Sequence, residues 1–176
     1  NYGSSCTGAC TATFMGSNLD TLNWDGIAID SGTPGTFDEG GAWLTGVYKL
    51  TESHWVGWYH AEQCSVTCNK TRHTEAFTES FDGGKTWVKT GYPDNIILTA
   101  DVDYFGNEDK DDLSALSVVS HDGYFYMYFV TTHDWKVGVA RSKIADEGKP
   151  GTWYKYYRGG FSESGRGHSD PQSPTL

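Results

Sequence analysis

One eight-residue segment, residues 80–87 (SFDGGKTW), constrains the fold of this chain more than any other part of its sequence. The spacing Ser-x-Asp-x-Gly-x-Thr-Trp predicts a tight turn between two antiparallel strands. Asp82 can accept backbone N–H groups across such a turn, and Gly84 can adopt a positive φ at no steric cost. We expect Trp87 to pack beneath the loop. The residues with this structural role are Ser80, Asp82, Gly84, Thr86 and Trp87.

Short apolar or aromatic runs alternate with turns on both sides of this segment, which is typical of β-strands. The first set of runs comprises residues 42–50, 54–62 and 74–80, with 87–90 and 96–99 as material for a fourth strand. The second set comprises residues 116–120, 124–130, 137–142 and 153–157. Aligning the sets superimposes Tyr59 on Phe129, Ser80 on Ser142 and Trp87 on Trp153, and such repeats of four strands indicate propeller blades.

We therefore predict an all-β chain of the β-propeller class, with four-stranded antiparallel blades. Residues 1–20 are expected to form an irregular, disulfide-stapled N-terminal segment, and residues 21–176 a partial propeller of about two blades plus ends. A propeller ring needs at least about four blades to close, so we expect this chain to be part of a ring. The remaining blades would come from the same chain or a partner chain. A compact two-sheet sandwich is the alternative fold.

Composition agrees with this fold class and excludes some functions. Glycine, at 22 residues, supplies turns, and aromatic residues reach 15 %, as suits many short strands. The chain has 13 basic and 23 acidic residues, which argues against binding nucleic acid. It has no apolar stretch of about 18 residues, so we predict no membrane-spanning helix and no membrane partner.

The four cysteines fall in two local pairs, Cys6 with Cys10 and Cys64 with Cys68. Zinc is one possible use of such pairs. Their even number, their Ser/Thr/Gly-rich surroundings and the N-glycosylation sequon at Asn69 favour disulfide bonds. Disulfides require an oxidising compartment, so we predict an extracellular, secreted glycoprotein.

The turn at residues 80–87 resembles the Asp box of sialidases and related propellers. In those families the motif is a structural turn, usually remote from the active site, and the resemblance implies only that role here. Sialidase chemistry also requires a triad of arginines, and none of the four arginines of this chain lies in a sialidase arginine motif. They are Arg72, Arg141, Arg158 and Arg166.

A wider resemblance runs from about Trp24 to Glu163, through the segments GVYKL, GWYHAE, SVVSHDGYFYMYF, VGVARS and GTWYKYYRGGFSE. This pattern of strand-forming segments is similar to that of extracellular propellers related to five-bladed glycoside hydrolases of the arabinanase, xylosidase and fructan-hydrolase group. The resemblance implies a carbohydrate partner and carboxylates around a central channel. Residue by residue, it implies Glu62 as general acid, Asp38 as base or nucleophile, and His60 as a hydroxyl-binding or pKa-tuning group.

Trp58 and Tyr59 are the predicted sugar-stacking residues beside this catalytic set. Other interpretations stay open from the sequence: His60 and Glu62 as a solvated strand end, and Asp38 as a turn or cap residue. The prediction is a carbohydrate-active propeller similar to glycoside hydrolases. The alternative is a non-catalytic glycan-binding or structural extracellular propeller, so enzymatic activity is left undecided.

An acidic segment, residues 101–112 (DVDYFGNEDKDD), is the candidate metal site. Calcium takes six to eight oxygen ligands, which such a segment can provide. Asp101, Asp103 and Asp112 are the predicted calcium ligands. A solvated acidic loop without an ion is the alternative.

Overall fold

The computed structural model describes residues 9–64, 71–99, 113–131 and 135–166. In this part of the chain the all-β prediction is confirmed, because strands and two short 3-10 turns are present and α-helices are not. The strands are β1 (Thr11–Met15), β2 (Asn23–Ile29), β3 (Gly41–Lys49), β4 (Trp55–Cys64), β5 (Thr71–Ser80), β6 (Ile96–Leu98), β7 (Leu113–His121), β8 (Tyr124–Thr131), β9 (Lys136–Lys143), β10 (Tyr154–Tyr157) and β11 (Gly160–Ser164). They form three antiparallel sheets.

The first large sheet is a four-stranded meander in the order β3-β4-β5-β6. Its strands correspond to the first predicted set, and β4 and β5 pair without a register break along their whole length. Residues 87–90 were considered for the fourth strand, but Val88 forms only an isolated bridge with Glu79. The fourth strand is β6, which pairs with β5.

The second large sheet has five strands in the order β11-β10-β9-β8-β7. Four of them were predicted, and β11 was not. Arg158 and Gly159 join β10 to β11 with φ values of 44° and 95°. A two-residue turn with both φ values positive matches the right-handed twist of a hairpin, so it returns the chain as an extra strand.

The prediction of an irregular segment over residues 1–20 is wrong in part. β1 begins at Thr11 and pairs with β2 as a hairpin. The hydroxyl of Thr11 donates to the carbonyl oxygen of Ala42 at 3.2 Å and accepts from the amide of Leu44 at 2.9 Å. These bonds fasten the hairpin to β3.

The main core lies between the two large sheets. Side chains alternate between the faces of a strand, so Val56 and Trp58 of β4 share one face and point into this core. Phe125, Met127 and Phe129 of β8 face them in the same way. Its fully or almost fully buried members are Val56, Trp58, Phe77, Ile97, Leu98, Leu113, Phe125, Met127, Phe129, Ala140 and Trp153. Burying one large apolar side chain stabilises a fold by roughly 1.5–3 kcal/mol, so this cluster accounts for much of the association between the sheets.

A hydrogen bond inside this core also joins the first large sheet to the connection between β9 and β10. The indole Nε1 of Trp58 donates to the carbonyl oxygen of Gly148 at 3.0 Å, and Trp153 Nε1 donates to the same oxygen at 2.8 Å. Gly148 has a φ of +65°, and a Cβ atom there would lie 2.5 Å from Cζ2 of Trp58. Glycine is therefore required at this position.

A second, smaller core covers the opposite face of the four-stranded sheet. Its buried members are Ile29, Ala42, Tyr59, Ala61 and Ala76. Phe37, Leu44 and Trp87 pack against them. The four-stranded sheet is consequently buried on both faces.

Two further predictions bear on the described residues. Cys10 is disulfide-bonded, while Cys6 and Cys68 and the side chain of Cys64 lie outside the described residues, so the pairing stays a prediction. None of the described segments forms a helix with the length and apolar character needed to cross a membrane.

Candidate functional site

Two imidazoles and two carboxylates meet on one face of the four-stranded sheet. His60 and Glu62 lie on β4, and β5 places Glu75 directly opposite His60 and His73 directly opposite Glu62. Residues two apart on a strand share a face, and directly opposed residues of antiparallel strands are neighbours on that face. We call these four residues the imidazole–carboxylate centre.

The contacts within the centre run in a chain from the interior toward solvent. Nδ1 of His60 lies 2.9 Å from Oε1 of Glu75, which is a normal hydrogen-bond distance. Nε2 of His60 lies 3.4 Å from Oε1 of Glu62, and Nε2 of His73 lies 3.4 Å from the same oxygen. The centroids of the two imidazole rings are 5.0 Å apart.

Burial decreases along this chain of contacts. The Glu75 side chain is 0 % exposed and that of His60 is 11 % exposed. The side chains of His73 and Glu62 are 20 % and 29 % exposed. The centre therefore reaches solvent through His73 and Glu62, while Glu75 anchors it inside.

Trp43 covers one side of the centre from β3, where it pairs with His60. The Trp43 and His60 rings lie 5.6 Å apart between centroids, with 32° between their planes. A Cβ atom at Gly41 would lie 2.1 Å from Cη2 of Trp43, so this glycine makes room for the indole.

The centre favours positive charge. Burial by itself would lower the pKa of His60, because it disfavours the imidazolium. The hydrogen bond to Glu75 and the charges of Glu75 and Glu62 outweigh burial and raise the pKa of His60 above its ordinary value.

The same geometry could hold a metal ion. His60, Glu62 and His73 each offer one ligand atom, and these atoms all lie within 4.8 Å of one another. The predicted calcium ligands Asp101, Asp103 and Asp112 lie outside the described residues, as does the sequon Asn69.

Asp38 belongs to a different site, on the opposite face of the sheet. Its carboxylate is fully buried, forms a salt bridge with Nζ of Lys89 and accepts from the hydroxyl of Tyr59 at 3.4 Å. The hydroxyls of Thr36 and Tyr92 contact its other oxygen at 3.1 and 3.4 Å. We call Asp38, Lys89, Tyr59, Tyr92 and Thr36 the Asp38 cluster.

The structure thus separates the predicted catalytic residues. Tyr59, which contacts Asp38, and His60 are neighbours on β4, so they point to opposite faces. Glu62 lies on the His60 face. The structure brings His60 and Glu62 together and places Asp38 away from them, where a lysine neutralises its charge.

The prediction that Trp58 and Tyr59 stack on a sugar is wrong. Both side chains are 0 % exposed, Trp58 in the core between the sheets and Tyr59 in the core on the other face. A fully buried ring offers no face to a ligand. Burial, followed by the charge of Asp38, also raises the pKa of Tyr59 far above its ordinary value.

His73 and Glu75 were missed as site residues, although the sequence contains a signal for them. His60-Ala-Glu62 and His73-Thr-Glu75 are two His-x-Glu triplets in consecutive strands. Antiparallel pairing sets each histidine against the glutamate of the other triplet. The predicted strand began at residue 74, one residue too late to include His73.

The turn at residues 80–87 has the hydrogen bonds that its spacing predicts. Amides of Lys85 and Thr86 donate to Oδ1 of Asp82 at 3.0 and 2.9 Å, and the Thr86 hydroxyl donates to Oδ2 at 2.6 Å. The bonds from Thr86, with those from Ser80 and Lys85, lower the pKa of Asp82 to about 2. Gly84 has a φ of +89°.

Trp87 closes this turn by donating from Nε1 to the carbonyl oxygen of Gly84 at 3.1 Å. Its ring lies against Gly57 of β4, where a Cβ atom would be 2.5 Å from Cζ3 of Trp87. The turn follows the C-terminal end of β5, whereas His73 lies near the N-terminal end of β5. The turn and the imidazole–carboxylate centre are therefore at opposite ends of the sheet.

No protein-family model matches this chain, and a search of curated proteins finds no match either.

Proposed function

We propose that this chain forms part of an extracellular β-propeller that is carbohydrate-active, and that it contacts its glycan at the imidazole–carboxylate centre. The observation that carries the proposal is that the centre lies beside the Trp43 ring and that its solvent exposure increases outward, so that Glu62 and His73 reach solvent. Carbohydrate sites combine hydrogen-bonding groups for hydroxyls with an aromatic wall, as small-molecule sites generally combine few polar groups with apolar surface.

Matching irregularities in the two large sheets support a repeated blade. In the first sheet, a bulge between Leu44 and Gly46 lies opposite Tyr59 and Trp58. In the second sheet, a bulge between residues 115 and 117 lies opposite Phe129 and Tyr128. The sequence alignment superimposes Tyr59 on Phe129, so both bulges fall at the same place in the repeat. Bulges are conserved features of related strands rather than defects.

Residues 142–153 correspond to the turn at residues 80–87, because the alignment superimposes Ser142 on Ser80 and Trp153 on Trp87. They lack a clear counterpart of Asp82 but retain one bond of the first turn. Trp87 donates from Nε1 to the carbonyl oxygen of Gly84, and Trp153 donates from Nε1 to the carbonyl oxygen of Gly148. Both glycines have a positive φ. This equivalence supports the interpretation of the two sheets as successive blades.

The exposed face of the second sheet also supports a larger ring. Tyr128, Val137 and Tyr154 are 37–47 % exposed there. Arg141 lies on the same face between the rings of Tyr124 and Phe161, at 4.3 and 4.2 Å from their centroids. A neighbouring blade would cover this face as the second sheet covers the first.

The positions of the described carboxylates favour glycan binding over hydrolysis. Hydrolysis by the usual route needs two carboxyl groups flanking one glycosidic bond. Glu62 reaches solvent, but Glu75 is fully buried against His60, and Asp38 is on the other face of the sheet. A hydrolytic activity would thus need a second carboxylate from a part of the ring outside the described residues.

Binding and product release should be measured together on the complete secreted protein. A panel of neutral and acidic polysaccharides is tested with the unchanged protein, Glu62→Gln and the matched control Glu52→Gln, a glutamate in an exposed turn. We expect Glu62→Gln to weaken binding by about tenfold, which corresponds to about 1.4 kcal/mol, and Glu52→Gln to leave it unchanged.

The outcomes separate the two functions. Product release that disappears in Glu62→Gln while binding persists would establish hydrolysis. Equal binding by all three proteins would contradict the proposal that the centre contacts the glycan.

A further inference from the structure

We propose that His60, Glu62 and His73 bind one divalent transition-metal ion of the zinc type, and that Glu75 orients His60 for this role. The inference concerns the centre used in the proposed function, but it stands on the geometry of the four side chains. Glycan binding is not needed for it.

The distances between the ligand atoms fit a tetrahedral ion. Zinc binds imidazole nitrogen and carboxylate oxygen at about 2.0–2.2 Å, and a tetrahedron of that size separates its ligand atoms by about 3.4 Å. Oε1 of Glu62 lies 3.4 Å from Nε2 of both His60 and His73. Normal N–H···O hydrogen bonds are shorter, at about 2.7–3.2 Å. Two of the three separations thus match the spacing of ligands around a common ion, and the three ligand atoms all lie within 4.8 Å of one another.

Glu75 supplies the support that a metal-binding histidine requires. Metal-ligating imidazoles usually donate their other N–H to a carboxylate or carbonyl oxygen, which fixes the tautomer and the ring orientation. Nδ1 of His60 lies 2.9 Å from Oε1 of Glu75, so its Nε2 is available to a metal. The complete burial of Glu75 keeps this orientation fixed.

The charges of the centre also match a divalent cation. Two carboxylates, Glu62 and Glu75, lie against the imidazoles and can together balance the charge of one divalent ion. Two nitrogens and one oxygen suit zinc, whereas calcium prefers six to eight oxygen ligands. The ligand types therefore select a transition metal over calcium.

The backbone holds the ligands before the ion arrives. His60 and Glu62 are two apart on β4, and His73 faces Glu62 across the unbroken β4–β5 ladder. Ligands on rigid strands need little reorganisation on binding. Three protein ligands leave a fourth position for water or, resting on the proposed function, for a glycan hydroxyl.

Metal binding can be tested directly on the chelator-treated full chain. Zinc is titrated by calorimetry, and cobalt is added separately to record the visible bands of a four-coordinate ion. We compare the unchanged protein with His73→Gln, Glu62→Gln and Glu75→Gln. The matched control is His121→Gln, a histidine that is 73 % exposed on β7. Circular dichroism verifies that each variant is folded.

The expected pattern distinguishes ligands from supporting groups. His73→Gln and Glu62→Gln should weaken zinc binding by more than about 100-fold, and Glu75→Gln by about 10- to 100-fold, the range for groups that orient a ligand. His121→Gln should leave it unchanged. The inference is overturned if the folded protein shows no saturable zinc or cobalt binding, or if His73→Gln and Glu62→Gln bind zinc as tightly as the unchanged protein.

Failure of the inference and failure of the proposed function give different results. Glycan binding by the metal-free protein, without any zinc binding, would overturn the metal site alone. Zinc binding that depends on Glu62 and His73, without glycan binding under any condition, would overturn the proposed function alone.

Discussion

Each face of β4 packs against a buried carboxylate, and the two carboxylates differ in the partner that balances their charge. On one face Asp38 is fully buried and paired with Lys89, and on the other Glu75 is fully buried and paired with His60. Lysine carries a permanent charge near neutral pH, whereas imidazole can gain a proton, lose it or bind a metal. The first pair is suited to holding structure together and the second to responding to a ligand.

Access to solvent separates the pairs further. Lys89 closes the Asp38 cluster, with Nζ 5.5 Å from the ring centroid of Tyr59, so cation and ring pack together over the carboxylate. His60 instead continues outward to Glu62, which is 29 % exposed. A buried carboxylate is thus a poor indicator of a functional site until the chemistry of its partner is known.

Removing the cation from the Asp38 cluster should have the largest effect. Lys89→Met leaves Asp38 buried without its counter-ion, and such a change costs about 3–5 kcal/mol of the free energy of unfolding. Urea denaturation at pH 7 measures it, with Lys85→Met, an exposed lysine in the neighbouring turn, as control. A loss below about 1 kcal/mol, comparable with an exposed pair, would show that the pair is not structural.

Neutralising the carboxylate on the other face should cost less. Glu75→Gln keeps an acceptor for the His60 N–H and removes a buried charge, so we expect a loss of about 1–3 kcal/mol in the metal-free protein. The same denaturation assay compares it with Lys89→Met. A greater loss for Glu75→Gln than for Lys89→Met would reverse the proposed division between the two faces.

Asp82 offers a third case for comparison with Asp38 and Glu75, because amides and hydroxyls rather than a cation stabilise its charge. Its pKa in the folded protein, about 2, is below its ordinary value of 3.8. Its contribution to stability is therefore present above about pH 4 and lost as the pH falls through about 2. Asp82→Asn should lower the thermal midpoint at pH 7 by less than Glu75→Gln does. The difference from the unchanged protein should shrink between about pH 4 and pH 2; a constant difference would contradict this account.

The smallest effect is expected where an acid–lysine pair is exposed. Lys49 and Glu52 lie 2.6 Å apart, with side chains 46 % and 93 % exposed. Glu52→Gln should change the free energy of unfolding by less than about 1 kcal/mol, and added salt should reduce the change further. An effect near that of Lys89→Met would mean that burial is not what distinguishes the two lysine pairs.

Local patterns predicted much of the fold. The alternating runs located β3, β4, β5 and β8 to within a few residues, and the turn at residues 80–87 was predicted down to its acceptor, Asp82. These features depend on neighbours in the sequence. The extra strand β11 was missed because Arg158-Gly159 is an unusual hairpin turn.

The site was harder to predict because its contacts are long-range. Lys89 is 51 residues from Asp38, and no local pattern connects them. Without that contact, the sequence suggested that Asp38 joins His60 and Glu62. Likewise, the aromatic residues of β4 do not show from the sequence that both faces of the strand are buried. Trp58 and Tyr59 were therefore predicted to be exposed rings.

The hydrogen bonds to the carbonyl oxygen of Gly148 should couple the unfolding of the two large sheets. This oxygen accepts hydrogen bonds from Trp58 of β4 and from Trp153, which directly precedes β10 of the second sheet. Neither sheet can lose its indole contact without disturbing the other, so the two sheets should melt in a single cooperative transition. We therefore expect the two sheets to fold and unfold as one unit.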